Sequence, residues 1–303
     1  MKRLVLFCCG WMLCLLAFAG GRVDTLLTLL KSNAPGYVFV VAHRGGWRLA
    51  PENSVAAIEQ AVAMGCDMVE IDIQKTKEGN FILMHDGRID WTTDGKGEVK
   101  DYTVEELKTF RLRRSDGTLS EERIPTLKEA LLACKGRLLV NIDKGGDYLA
   151  DIEPIIRETG TENHVVLKGR NPVDDVVRQL SEYDEIIYMP VVDLDAEGAI
   201  PYVDSFLTGF HPRAVELIFK TDDFPALAYA EQILAAGCRV WINALWASLC
   251  GGHEDEKAMN DPDANWGWVL EKGATIIQTD RPVELIDYLK SKGLRNISAD
   301  IVR

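Results

Sequence analysis

Short apolar runs alternate with amphipathic stretches along most of the chain, and this alternation predicts parallel strands joined by helices. Eight runs read as strands, at 37–42, 68–73, 138–142, 165–168, 186–192, 215–219, 240–242 and 275–278. Most are apolar on both faces, as strands covered on each side must be. Eight such strands with helices between them predict an α/β protein of the (β/α)8 TIM-barrel class. The helices carry their own punctuation. Asn53 or Ser54 can cap a helix with an apolar stripe of Val55, Ile58, Ala61 and Val62, and Gly65 stops it. Thr103 with Glu106, and Thr126 with Glu129, have capping-box spacing. One apolar run, 81–84, follows Asp72 too closely for a helical crossover. With the turn-like residues 77–80 before it, it predicts a hairpin rising after the second strand. A two-residue turn at Glu78-Gly79 places Asp72 opposite His85.

The chain has 303 residues, a natural size for one barrel. Residues 20–303 read as a single domain with a hairpin-containing insertion at roughly 75–125. The first residues read differently. Lys2 and Arg3 precede an apolar run through Ala19 that ends in small residues, the order of a secretory signal over residues 1–19. A secreted or periplasmic mature chain with no stable membrane span is therefore expected. The net charge of -13 lacks the basic footprint that nucleic-acid binding needs, and makes local cations or a metal responsible for capturing any anionic substrate. Cys66, Cys134, Cys238 and Cys250 are too widely spaced for a disulfide scaffold and show no zinc pattern.

The chemistry is concentrated in His43-Arg44-Gly45, Pro51-Glu52-Asn53, Glu70-Ile71-Asp72 and His85-Asp86. Catalytic groups in a TIM barrel lie at the C-terminal ends of the strands, where His43, Glu70, Asp72 and Asp143 fall. Glu70 and Asp72 are two apart, so both project to one face of their strand. Neighbouring carboxylates repel, and a hard divalent cation, Ca2+ or Mg2+, bound by Glu70, Asp72 and Asp143 resolves the conflict. Arg44 offers a planar fork to a phosphate, with Lys144 or Lys168 adding charge. His43 and His85 are then placed as general base and general acid for in-line cleavage of a phosphodiester. Glu52 reads as a residue holding Arg44 or His43 from behind, and Asn53 as a support for the site or a helix cap.

In these motifs the chain resembles the glycerophosphodiester phosphodiesterase family, within the superfamily of phospholipase C-like phosphodiesterases. The resemblance extends through Thr93-Asp94-Gly95-Lys96-Gly97, Ile124-Pro125-Thr126-Leu127, Val240-Trp241-Ile242-Asn243 and Thr279-Asp280-Arg281-Pro282. It implies a barrel with an insertion after the second strand, and metal-dependent hydrolysis of a glycerophosphodiester to glycerol 3-phosphate and an alcohol, in lipid metabolism. It places the family's catalytic histidines on His43 and His85, and its metal-binding E-x-D on Glu70 and Asp72. The family's third ligand, usually a glutamate in E-x-K, is replaced by Asn141-Ile142-Asp143-Lys144. The phosphate lysine therefore stays open between Lys144 and Lys168. A lyase releasing a cyclic phosphate, and a secreted barrel that binds phosphorylated ligands without cleaving them, are the alternatives.

Overall fold

A computed structural model of the chain describes residues 21–32, 36–183, 185–223 and 225–296; the expected secretory signal, residues 1–19, lies outside them. Eleven strands are present among the described residues: β1 (Phe39–Ala42), β2 (Met68–Lys75), β3 (Phe81–Leu83), β4 (Arg111–Arg113), β5 (Leu119–Arg123), β6 (Leu139–Asp143), β7 (Val165–Gly169), β8 (Ile187–Asp193), β9 (Ala214–Ile218), β10 (Arg239–Asn243) and β11 (Ile276–Thr279). Eight of them pair in parallel in the order β1-β11-β10-β9-β8-β7-β6-β2, and β2 returns to β1 to close the ring. All eight sequence-predicted strands are present, and the fold is a (β/α)8 TIM barrel.

Alternation along each strand sorts side chains into two cores. Val40 and Ala42, Val69 and Ile71, and Val240 and Ile242 join the layer between strands and helices. Phe39, Met68, Leu139, Val166, Ala214, Trp241 and Ile276 form a separate cluster inside the ring. The helix Arg22–Ser32 adds Val23, Leu26, Leu29 and Leu30 to that interior cluster and plugs the N-terminal end of the barrel. Its last carbonyls would otherwise lack partners. Arg239, fully buried, donates Nη2 to Leu29 O at 2.7 Å and Nη1 to Tyr37 O at 3.1 Å, and stacks on Phe39. Burial pulls this guanidinium down to about 10.

Local signals behave as their chemistry requires. Ser54, not Asn53, caps the helix Val55–Met64, its Oγ accepting from Ala57 N, and Gly65 ends it at φ 83°. Both capping boxes form, at Thr103/Glu106 and Thr126/Glu129. Between β2 and the helix Leu127–Cys134 stands the insertion, with β3 antiparallel to β2, the β4/β5 hairpin, and a small core of Ile82, Met84, Ile89, Val99, Leu107, Leu112 and Ile124.

The hairpin register differs from expectation by one residue. Ile73 pairs with Leu83 and Lys75 with Phe81. Thr76 N bonds to Asn80 O, so three residues, not two, make the turn, with Gly79 at φ 83°. Met84 N accordingly bonds Asp72 O, and His85 falls one step beyond. The expected Asp72–His85 pairing does not form. A one-residue slip reverses the side-chain face, which is why turn length decided the outcome.

Candidate active site

The C-terminal mouth of the barrel gathers carboxylates from two adjacent strands. The β2–β6 register sets Glu70 beside Asn141 and Asp72 beside Asp143. Glu70, Asp72 and Asp143 each present a carboxylate oxygen, and these atoms lie within 4.8 Å of one another. Glu70 and Asp72 are buried. Burial, reinforced by Asp72, pushes the Glu70 carboxyl well above its usual range. Burial opposes ionisation of Asp143 as well, but Lys168 and Lys144 outweigh it and hold that carboxyl below its usual value.

The surrounding residues fix these groups. Arg44 has φ 51°, a left-handed conformation uncommon for a non-glycine residue, and its N–H donates to Glu70 Oε2 at 3.0 Å. Its Nη1 reaches both oxygens of Glu52, at 3.0 and 3.1 Å, while Nε lies 3.6 Å from Asp72 Oδ2. Asn53, also left-handed at φ 53°, clasps Asp72: Nδ2 donates to Oδ2 at 2.8 Å and Oδ1 accepts from the Asp72 N–H at 3.0 Å. Asn53 thus supports the carboxylate cluster, and the capping role falls to its neighbour.

The two lysines separate clearly. Lys168, buried on β7, places Nζ 3.3 Å from Asp143 Oδ1 and 3.4 Å from Glu216 Oε2. Burial disfavours its charge, yet Glu216, Asp143 and Glu70 outweigh that and raise its pKa. Lys144 follows the end of β6 at φ 55°; its side chain is 69% exposed, with Nζ 3.4 Å from Asp143 Oδ2. A cavity of about 520 Å³ opens beside them, lined by Asp143, Lys144, Lys168, Arg170, Asn171 and Glu216 among others.

His43 and His85 each have a carboxylate on Nδ1. His43 is 2.8 Å from Asp280 Oδ1, which also accepts Trp47 Nε1 at 2.6 Å. Burial would raise the Asp280 carboxyl, but the hydrogen bond and charge of His43 hold it below its usual value. His85 is 2.8 Å from Asp86 Oδ1 and half exposed on the insertion. Among the aromatics, Trp241 is buried in the interior cluster, Trp246 meets the His43 ring edge-on at 5.9 Å, and Trp91 is 77% exposed. His253 stacks on Trp268 at 3.8 Å with Nδ1 on Ala264 O.

The sequence assigned no role to Asp280 and Asn243, although both stand in the motifs quoted above, and left Asp255, Glu216 and Gln278 unmarked. For four of them the signal was a polar residue at an inward position of an apolar strand, or just past its end: Ala214-Val215-Glu216-Leu217, Val240-Trp241-Ile242-Asn243, and Ile276-Ile277-Gln278-Thr279-Asp280; Asp255, in the loop after β10, carried no such signal.

The donor set fits a hard divalent cation. It consists of oxygen alone, and among the described residues the five carboxylates of Glu52, Glu70, Asp72, Asp143 and Glu216 are met by three cations, Arg44, Lys168 and the exposed Lys144. Among the described residues Arg44 Nε has no hydrogen-bond partner, a donor left for an anionic ligand. A cation at Glu70, Asp72 and Asp143 would remove that excess of negative charge.

Fold and site together define a TIM barrel whose mouth suits a divalent cation and an anionic ligand. Residues 43–174 match the model of the glycerophosphoryl diester phosphodiesterase family, and residues 188–289 match a model described as a domain of unknown function. The glycerophosphodiester phosphodiesterase of Caldanaerobacter subterraneus is 39% identical over 140 residues, covering 44% of this chain and 58% of that protein. YqiK of Bacillus subtilis, an uncharacterized protein, is 33% identical over 189 residues, covering 57% of this chain and 75% of that one. A glycerophosphoryl diester phosphodiesterase structure from Parabacteroides distasonis superposes with a TM-score of 0.75 at 22% identity, over 89% of this chain and 92% of that one. The chain belongs to the glycerophosphodiester phosphodiesterase family. It spans 30% to 58% of the length of the first curated relatives that bear that name.

Proposed function

We propose that this chain is a divalent-cation-dependent phosphodiesterase that cleaves glycerophosphodiesters to glycerol 3-phosphate and an alcohol. The observation that carries the reading is the grouping of Glu70, Asp72 and Asp143 within 4.8 Å, with Arg44 and Lys168 against the same carboxylates. Glu70, Asp72 and Asp143 would hold the cation, Ca2+ or Mg2+, which when bound supplies charge stabilisation to a phosphoryl group. Arg44 and Lys168 would bind phosphate oxygens in this reading, and Lys144 stands at the exposed edge of the cavity.

Proton transfer falls to the two histidines in this reading. With a carboxylate on Nδ1, each ring keeps a proton on that nitrogen and leaves Nε2 as the working atom, bare on His43 as the base and protonated on His85 as the acid. His43 Nε2 accepts a proton from the attacking glycerol hydroxyl and His85 Nε2 gives one to the departing alcohol oxygen; water then opens the cyclic phosphate with the two roles exchanged, giving glycerol 3-phosphate. His43→Ala and His85→Ala should each lower kcat by about 10²–10⁴-fold while calorimetry still shows cation binding. Near-wild-type turnover in His85→Ala would remove it from the mechanism.

The deciding experiment incubates purified protein with a panel of glycerophosphodiesters, adding Ca2+ or Mg2+ in turn, and follows products by phosphorus NMR. Glycerol 3-phosphate is expected. A stable cyclic phosphate would identify a lyase, and tight binding without turnover would identify a binding barrel. Action outside the cytoplasm, in lipid metabolism, belongs to the same proposal and rests on the charged, apolar and small-residue order of residues 2–19. N-terminal sequencing of the exported protein tests it.

A further inference from the structure

The loop after β10 contains a buried carboxylate that the proposed chemistry does not use. Asp255 is 1% exposed and has no cation as a partner among the described residues. Three donors converge on it. Trp266 Nε1 and Thr279 Oγ1 reach Oδ1, each at 2.9 Å, and the backbone N–H of Asp280 reaches Oδ2 at 2.7 Å. Its own N–H is anchored on Ala244 O at 2.7 Å, just past the end of β10. The next residue, Glu256, bonds Arg281 at 2.9 Å and pairs with Arg48, whose Nε donates to Asp280 O at 2.9 Å. Asp280 is therefore gripped at its N–H by Asp255 and at its C=O by Arg48. Its side chain is left to face His43 Nδ1 and Trp47.

We propose that Asp255 is a positioning residue for the His43–Asp280 pair, fixing the Asp280 backbone so that its carboxylate stays against His43 Nδ1. A carboxylate is the side chain suited to this place, because all three neighbours donate and an amide would turn one of its own N–H groups toward a donor. Burial pushes the Asp255 carboxyl up to about 7, against the pull of its hydrogen bonds, so the position is held at a cost that mere loop packing would not require. The effect on turnover rests on the phosphodiesterase reading above, whereas the effect on His43 does not.

The test is a double-mutant cycle of Asp255→Asn and Asp280→Ala, read in two ways. The first readout is the downfield Nδ1 proton resonance of His43, taken by NMR without substrate or metal. Asp255→Asn should move or broaden it, and Asp280→Ala should abolish it. The second is hydrolysis of a glycerophosphodiester. Asp255→Asn should lower kcat about tenfold with KM nearly unchanged, and should add no further loss in the Asp280→Ala background. Equal losses in both backgrounds, or an unmoved His43 resonance, would overturn the proposal. A shifted resonance in a protein that hydrolyses nothing would overturn the phosphodiesterase reading and leave the positioning role standing. Should Asp255→Asn not fold, Trp266→Phe removes one donor, and the same two readouts should move in the same directions by smaller amounts.

Discussion

At the scale of single residues, the site is assembled from side chains whose backbones depart from ordinary geometry. Arg44, Asn53 and Lys144 all have φ between 51° and 55°, and all three sit around the carboxylate cluster. At Arg44 the left-handed turn aims a backbone N–H at Glu70, and at Asn53 it lets one amide bind both the N–H and the carboxylate of Asp72. Such strain persists only where surrounding contacts over-determine it. The two lysines make a sharper prediction. Lys168→Met would leave Glu216 buried without a counter-charge and should destabilise the chain by about 3–5 kcal/mol in urea melts. Lys144→Met, at an exposed side chain, should cost less than about 0.5 kcal/mol. If Lys168 is the phosphate lysine, it alone should also lose activity steeply; equal losses of activity in both variants would place Lys144 in the site as well.

At the scale of elements, the two ends of the barrel do different work. The helix Arg22–Ser32 closes the N-terminal end, where Leu29 is fully buried among the inward side chains of the strands. Leu29→Ala should destabilise by about 2–5 kcal/mol in urea melts, with kcat of the remaining folded protein unchanged, because the plug lies at the end opposite the site. At the C-terminal end, the loop from β10 clasps the termini of β1 and β11 through Asp255 and Glu256. The Asp255 carboxyl titrates near 7 in the folded chain, against 3.8 for an unperturbed aspartate. Between those values the folded state holds the extra proton, so this group's stabilising contribution is complete at low pH. It declines as pH rises from about 4 to about 7 and levels off above that. Thermal melts should therefore show wild type losing stability relative to Asp255→Asn between about pH 4 and pH 7. A constant difference would show that the carboxyl does not titrate there.

At the scale of the whole molecule, closing the eight-stranded ring is what brings distant groups together. His43 and Asp280 are 237 positions apart and meet because β1 pairs with β11. The carboxylate cluster likewise depends on β2 lying beside β6. A cation that binds this cluster in the folded state alone should stabilise the entire barrel. At about 100 times its dissociation constant the gain is about 2.7 kcal/mol, seen as a rise in Tm that EDTA reverses. Asp143→Asn should weaken that response without erasing the fold, and an unchanged response would exclude Asp143 as a ligand.

Much of this was determined locally and so was legible in the sequence. The eight apolar runs, the Ser54 and capping-box signals, and the two-residue spacing that puts Glu70 and Asp72 on one face depend on neighbours within a few positions. The same reasoning went wrong wherever one residue of register mattered, as when a three-residue turn moved His85 away from Asp72. Only the tertiary structure decided that Lys168 reaches the carboxylates from inside the ring while Lys144 leaves the strand. It alone paired His43 with Asp280 and set Asp255 behind them. Periodicity tells which face a side chain takes. Its partner across the barrel follows from strand stagger and ring closure, which no short stretch of chain encodes.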